Sequence, residues 1–425
     1  MARARRARDR ARRGGGPRTR QGRTARRDDR RLAPPQPRRV PGLSMTGTRP
    51  APHTGVPGAP SSGRLVGVDV ARAVALLGMI AAHVGDVAEQ VNWADPASWS
   101  AVVNGRSAAL FAVLAGVSIG LVSGREAPPG PPTIGRIRAR LALRAVVVVA
   151  VGLLLMTLGT PVYVVLPTYG ALFLLALPVL RWRPWALLVL AAACALASAP
   201  VVIAVLPVYA DAGMAGVQLG LVYPVVTFAA YVFVGLAVAR TRSRADGTDT
   251  VRHVVLLLAA AGVAVAAYVV GAVAAPVPAD TTGAFPGVPF VPAGSDTGQA
   301  VAQVFLSPRD HSSSIVDVVG TAAVAVAVIA LCRLVFDGHG PVLARVAFPL
   351  AAVGSMPLSV YALHLVVIAA WPELPHGPTT WWAFTVGAVL FAMAWRSFLG
   401  RGPLERLTAA VASVVPLRPA TAALR

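Results

Sequence analysis

Three ionisable residues inside one apolar stretch offer the most chemistry in this chain. Residues 63–86 read GRLVGVDVARAVALLGMIAAHVGD, a run of membrane-spanning length that keeps Asp69, Arg72 and His83. Charged groups inside a bilayer are costly, so each needs a partner, a cavity or a task. As a helix, the stretch sets Asp69 and Arg72 one turn apart and Arg72 and His83 almost three turns apart. All three then share one face, with roughly 16 Å of rise between Arg72 and His83. Arginine pairs carboxylates and phosphates bidentately and stays charged. Histidine titrates near neutrality and serves as acid, base or nucleophile. The plainer reading is that Asp69 neutralises Arg72 while His83 hydrogen-bonds a neighbouring helix.

A second set lies in SMPLSVYALHL, which puts Tyr361 and His364 one turn apart, with Ser359 nearby. His364 falls at a depth comparable with His83, and two histidines facing one cavity would share proton transfer and acceptor orientation. The alternative is an interhelical Tyr–His hydrogen bond. A third set, Asp310, His311, Ser312 and Asp317, clusters at the mouth of another apolar run. A triad is defined by geometry rather than by such a string, so this set reads as a polar rim or as an acceptor-binding site. Asn104 and Arg106 precede a further run, where they would cap a helix or line a cavity. Arg140 and Arg144 read from position alone as topology signals. Gly116 in LAGVSIG permits close helix packing. No phosphate-cradling glycine loop, paired-carboxylate site or zinc spacing occurs, so no metal is expected. Cys194 and Cys332 fall in apolar segments and read as small core residues.

The elements that must position these residues follow from composition. The chain has 425 residues, 56% of them hydrophobic and only 13% charged, and its apolar runs reach spanning length. It is expected to be all-α, a polytopic integral membrane bundle of about ten transmembrane helices. These fall near 66–86, 107–123, 142–159, 162–180, 184–206, 218–239, 253–274, 314–335, 346–370 and 380–397. The helix at 162–180 is interrupted by Pro167 and Gly170. The net charge of +21 does not mark a nucleic-acid binder, because 18 of the 39 arginines lie in residues 1–64 and there is no lysine. Residues 1–62 read as a disordered basic tail. Met45 begins a more ordinary leader, so residues 1–44 are expected either as a solvated topogenic segment or as sequence ahead of the true start.

Arginine placement orients the bundle. With the N-terminus inside, the loops holding Arg125, Arg136–Arg144, Arg181, Arg183, Arg240–Arg252, Arg333 and Arg345 all face the cytoplasm, as does the tail. Only Arg106 and Arg309 lie outside, and the outer loops are acidic or polar. This expectation places both termini in the cytoplasm of a multi-pass plasma-membrane protein. The longest outer loop, about 276–313, reads as a lid, a binding loop or disorder. The partner expected from composition is the lipid bilayer, with no specific nucleic acid; a homo-oligomer is left open.

The stretch VDVARAVALLGMIAAH resembles the first-helix signature of the transmembrane acyltransferase superfamily, including the Arg-x10-His of acyltransferase family 3. RLVGVDVAR, NGRSAALFAVLAGVSIGL and PTYGALFLLALPVL are similar to the heparan-α-glucosaminide N-acetyltransferase-like branch. LSPRDHSSSIVDVVGTAAVAVAVIALC, FPLAAVGSMPLSVYALHLV and GPLERL resemble the bacterial membrane domain of unknown-function family 418. The likeness covers roughly residues 63–410, with seven helices in 66–274, three in 314–397, and a cytoplasmic tail at 411–425. It implies transfer of an acyl group, typically acetyl, from cytoplasmic acetyl-CoA or another acyl-CoA to a sugar hydroxyl or amine at the far face. Arg72, oriented by Asp69 and aided by Arg140 and Arg144, would hold the donor. His83 and His364 would be catalytic. Asn104, Arg106, Asp310, His311, Asp317 and Tyr361 would stand on the acceptor side. One departure is plain: where the glucosaminide branch has an outer-loop histidine, four residues before Asn104-Gly105, this chain has Ser100. The residues themselves also fit a small-solute or lipid transporter using Asp69, Arg72 and His83 as a relay, or a scaffold whose basic tail recruits partners.

Overall fold

The computed structural model describes residues 65–88, 91, 94–241, 250–278, 281 and 283–416. The basic tail 1–62, with its alternative start at Met45, lies outside the described residues. So do Glu89, Arg242, Arg244, Asp280, Arg418 and Arg425. Among the described residues every regular element is helical. In chain order these are α1 (Val66–Val84), a 3-10 segment (Pro96–Val103), α2 (Arg106–Val122), α3 (Thr133–Met156), α4 (Leu166–Ala176) and α5 (Pro184–Asp211). Then come α6 (Gly213–Gly216), a π-helical turn (Val217–Leu221), α7 (Val225–Arg240), α8 (Thr250–Ala274), α9 (Thr297–Leu306) and α10 (Ile315–Phe336). The chain finishes with α11 (Gly340–Val346), α12 (Phe348–Ser355), α13 (Pro357–Ala370), α14 (Pro378–Phe398) and α15 (Pro403–Ser413).

Each of the ten expected apolar stretches contains helix, although 162–180 is helical only over Leu166–Ala176 and 218–239 is interrupted between Leu221 and Val225. Six helical segments are long and apolar enough to cross a membrane, and the bent pairs α12–α13 and α14–α15 bring the number to eight. The apolar α4 and α7 are shorter. The protein is thus a polytopic helical membrane protein.

Three elements differ from the sequence expectation. Helix α3 begins at Thr133 rather than near 142, so Arg136, Arg138, Arg140 and Arg144 ride on a helix and not in a loop. The expected continuous helix 346–370 breaks at Met356, where α12 and α13 meet at 83°. Pro357 lacks an N–H and disfavours helical backbone in the residue before it, and Met356 accordingly adopts φ −135°, ψ 53°. The long loop near 276–313 contains α9, whose N-terminus is closed by a reciprocal Asp296–Gln299 capping box.

Packing is driven by close approach, as expected where lipid supplies no hydrophobic contrast between helices. Helices α2 and α7 interlock through Gly116 and Gly235: a Cβ on either would sit about 2 Å from the Val232 or Val113 carbonyl oxygen of the other helix. Gly354 brings α12 equally close to the backbone of α1 at Asp69. Hydrogen bonds define the two ends of the bundle. At one end Arg240 donates to the carbonyls of Ser123, Arg125 and Leu180, joining the ends of α2, α4 and α7. Asp337 there accepts from Gly67 N (2.8 Å) and Arg333 Nε (2.9 Å), joining the start of α1 to the end of α10. At the other end Gly377 N donates to Val84 O (2.9 Å) and Asn104 Nδ2 to Ala88 O (2.9 Å). The chain therefore alternates between an arginine-rich end and an arginine-poor one.

Candidate active site

Helix α1 enters at the arginine-rich end, and its helical register carries Arg72, Met79 and His83 up one side. Arg72 donates to Asp69 Oδ1 (2.7 Å) and to Ser118 Oγ of α2 (2.7 Å), so its guanidinium is fixed between two helices. Ser118 in turn donates to Leu114 O (2.6 Å). Asp69 is buried against the α1–α12 contact that Gly354 creates. The pairing thus neutralises the carboxylate and orients the arginine at once.

Arg72 faces a cavity of about 420 Å³ bounded by α1, α2, α3, α4, α13 and α15. Its polar lining includes Ser118, Arg144, Tyr169, Tyr361, Arg401 and Glu405, and Met79, Phe111 and Phe173 contribute apolar wall. Neither Arg144 nor Arg401 has a side-chain hydrogen bond among the described residues, although each lines the cavity. Two cations brought together without a dedicated counter-ion make a site for an anionic group. Glu405 is already committed: it accepts from Leu358 N (2.8 Å), Ser359 N (3.2 Å) and the Ser359 hydroxyl at the start of α13. The sharp break at Met356 exposes those amides, and Glu405 satisfies them as a helix cap supplied from α15.

At the far end of this cavity Tyr361 receives a hydrogen bond from Val165 N (3.3 Å) and meets His364 edge-on, with ring centroids 5.0 Å apart. No Tyr361–His364 hydrogen bond forms. Instead His364 Nε2 lies 3.0 Å from His83 Nδ1, and the two imidazoles stack at 5.3 Å with planes within 9°. His364 is buried, and its Nδ1 has no well-formed partner among the described residues. His83 is half-buried, and its Nε2 has no hydrogen bond among the described residues. His83 lines a second, smaller cavity of about 110 Å³ at the arginine-poor end, between the turn after α3 and the turn after α13. The pair thus stands between two spaces, one lined by arginines and one open at the opposite end.

The remaining expected site residues fall elsewhere. Arg140 donates to Val415 O (2.7 Å), ties down the end of α15 and does not line the large cavity. Asn104 holds Ala88 O, while Gly105, at φ 65°, occupies the N-cap of α2 without a side-chain cap. Arg106 donates to Tyr268 OH (3.3 Å) and lies over the Tyr268 ring. Tyr268 OH is 3.0 Å from Thr321 Oγ1, which donates to Asp317 Oδ1 (3.2 Å). His311 and Ser313 take left-handed backbone (φ 54° and 57°), and Tyr223 packs edge-on against His311. Burial pushes the His311 imidazole down from its usual pKa, as do Arg309 and Arg106, while Asp310 pulls it up. His311 and Asp317 border a space of only about 10 Å³, room for one water at most. These residues form a separate closed cluster and do not touch the His83–His364 pair.

Arg401, Glu405 and Ser118 were not legible as site residues. GPLERL, which holds Arg401's neighbours and Glu405, was visible as a motif, but only the bend between α14 and α15 returns it to the cavity.

No curated protein matches this chain. Residues 64–270 match the family model described as "Heparan-alpha-glucosaminide N-acetyltransferase, catalytic", a span running from the start of α1 into α8. The first-helix Asp69, Arg72 and His83 lie inside that match, whereas His364, Arg401 and Glu405 lie beyond it. Over residues 64–270, just under half of its length, the chain is therefore similar to the catalytic domain of the heparan-alpha-glucosaminide N-acetyltransferases.

Proposed function

We propose that the protein moves an acyl group, in the simplest case acetyl, from acyl-CoA at the arginine-rich end to a carbohydrate or glycolipid acceptor at the opposite end. The observation that carries this reading is the His83–His364 pair standing between two cavities of opposite character. In this reading Arg144 and Arg401 take the donor phosphates and Arg72 supplies a third, fixed cation. The arginine-rich end then faces the cytoplasm of a multi-pass plasma-membrane protein with both termini inside, in keeping with the positive-inside rule.

The acceptor oxygen or nitrogen attacks the thioester carbonyl carbon. The new O–C or N–C bond forms as the C–S bond breaks, and the acceptor's proton passes to His83 Nε2 and then to the departing thiolate, which leaves as CoA thiol. For Nε2 to accept, the neutral imidazole must carry its hydrogen on Nδ1 and donate it to His364 Nε2. His364 is thus a positioning residue that selects the reactive tautomer of His83. A covalent acyl relay on His83 would use the same nitrogen. Label retained on the protein after a single turnover with acyl-labelled donor and no acceptor distinguishes the relay.

The full chain, purified in detergent, is tested for CoA-thiol release from acetyl-CoA. Release that requires His83 is expected; equal release by wild type and His83→Ala overturns the proposal. Two cavities divided by a polar wall also suit a transporter with an Asp69–Arg72–His83 relay. Substrate-driven proton uptake in proteoliposomes without CoA release favours that second reading.

A further inference from the structure

We propose that the recess beside His83 is the acceptor subsite, and that it takes an uncharged sugar presented against Trp371 rather than a polyanionic glycan. The inference rests on the acyl-transfer reading above and gives its acceptor a place and a chemical class. It moves the acceptor away from the Arg106–Asp317 cluster, whose interior space of about 10 Å³ is too small for a sugar.

Three observations support it. First, the recess is where the unpartnered Nε2 of His83 has room for a substrate atom, since Nδ1 is held by His364. Second, its rim is built. Trp371 N donates to Val367 O (3.1 Å), Leu374 N to Trp371 O (3.2 Å), Gly377 N to Val84 O (2.9 Å), and Thr380 Oγ1 to Pro375 O (2.6 Å). This loop is thereby fastened over the end of α1 with Trp371 61% exposed at its start. Third, the chemistry of the lining is selective. Trp371, Pro161, Leu158 and Leu374 offer apolar faces, Thr160 and His376 offer polar contacts, and no Arg, Lys, Asp or Glu lines the recess among the described residues. Glu373 stands exposed in the same loop. A sulfate or carboxylate would find no arginine or lysine there, whereas the C–H face of a pyranose ring suits the electron-rich face of an indole. At about 110 Å³ the recess is well below the roughly 300 Å³ of a pocket that encloses a whole ligand. It therefore admits one hydroxyl or amine of the sugar while the ring rests on Trp371 outside.

The test uses the full chain in detergent with three probes: an uncharged methyl glycoside, a lipid-linked form of the same sugar, and a sulfated disaccharide. Binding is read by ligand-observed NMR, which needs no turnover, and transfer is read with acetyl-CoA. Expected are binding of the uncharged probes over the sulfated one and about a tenfold rise in acceptor KM for Trp371→Ala, with partial recovery in Trp371→Phe. Preference for the lipid-linked form assigns the acceptor to a glycolipid; equal use assigns it to a soluble glycan. Trp99, exposed in the 3-10 segment, is the control for a generic interfacial aromatic. Preference for the sulfated probe, no rise in Trp371→Ala, or an equal rise in Trp99→Ala overturns the proposal. Uncharged-sugar binding that needs Trp371 without any acetyl-CoA turnover sinks the acyltransferase reading and leaves the subsite standing.

Discussion

The polar groups around His83 and those around Asp317 differ in what occupies the space between them. Around Asp317, the side chains of Arg106, Tyr268 and Thr321 contact one another in a chain, and the residual space holds one water at most. Around His83 and Arg72, partners fix the orientation of each group but leave open volume on both sides of the histidine pair. Buried polar groups are expensive in both places, and most of them are paired, His364 Nδ1 being an exception beside His83. The difference is that one assembly is complete without a ligand and the other is not. Chemistry is expected at the second, and stability at the first.

That contrast breaks most directly at His83. His83→Ala is expected to lower acetyl-CoA turnover by about 10²–10⁴-fold, the usual range for a lost acid–base group, while Asp317→Asn retains turnover. CoA-thiol release by both variants checks it, and a catalytic collapse in Asp317→Asn alone would invert the assignment. Next in size, Arg144→Ala and Arg401→Ala are each expected to raise donor KM by about 10–100-fold, the worth of a hydrogen bond to a charged group. Kinetics at two ionic strengths test this, because the wild-type advantage should shrink with salt.

Two smaller effects sharpen the stability side. Gly116→Val should lower the melting temperature in detergent, through overpacking of at least about 1–3 kcal/mol, because its side chain meets the Val232 carbonyl with nowhere to move. Removal of the Asp317 carboxylate in Asp317→Ala is expected to cost about 1–3 kcal/mol without changing donor KM, read by the same melts and kinetics.

The smallest effect is a pH dependence. His311, facing Asp310, Arg309 and Arg106, has its pKa held below the unfolded value of about 6.5, chiefly by burial. The unfolded chain therefore binds the proton first. The stabilisation is complete above that pH and declines as pH falls from the unfolded value towards the folded one. His311→Asn, which tolerates the left-handed backbone at this position, should flatten that part of the melting-temperature profile. An unchanged slope would remove His311 from the account.

Much of this architecture was readable from the chain before folding. The apolar runs announce a helical membrane protein, and punctuation by arginine and proline locates many of the helix ends within a few residues, although α3 starts at Thr133 rather than near 142 and the 346–370 stretch breaks at Met356. Asp69, Arg72 and His83 were legible as one set because a single helix fixes their relation. His364 was legible only by depth, since 281 positions separate it from His83. Arg401 did not stand out in the sequence, because nothing local distinguishes an arginine left in solvent from one turned back to a cavity. Arg140 and Asn104 show the reverse case: their residue types suited a site, and neighbouring backbone carbonyls took them.

By itself, then, the sequence determined the class of fold, the alternation between an arginine-rich and an arginine-poor end, and the face of α1 that carries the reactive groups. These depend on hydropathy and helical period, which act within one segment. Tertiary structure alone decided that His83 meets His364, that Glu405 caps α13 across the break at Met356, and that Arg144 and Arg401 share a cavity. Those outcomes depend on how closely helix backbones approach at Gly116, Gly235 and Gly354 and on a bend of 83°, which no single segment's periodicity encodes.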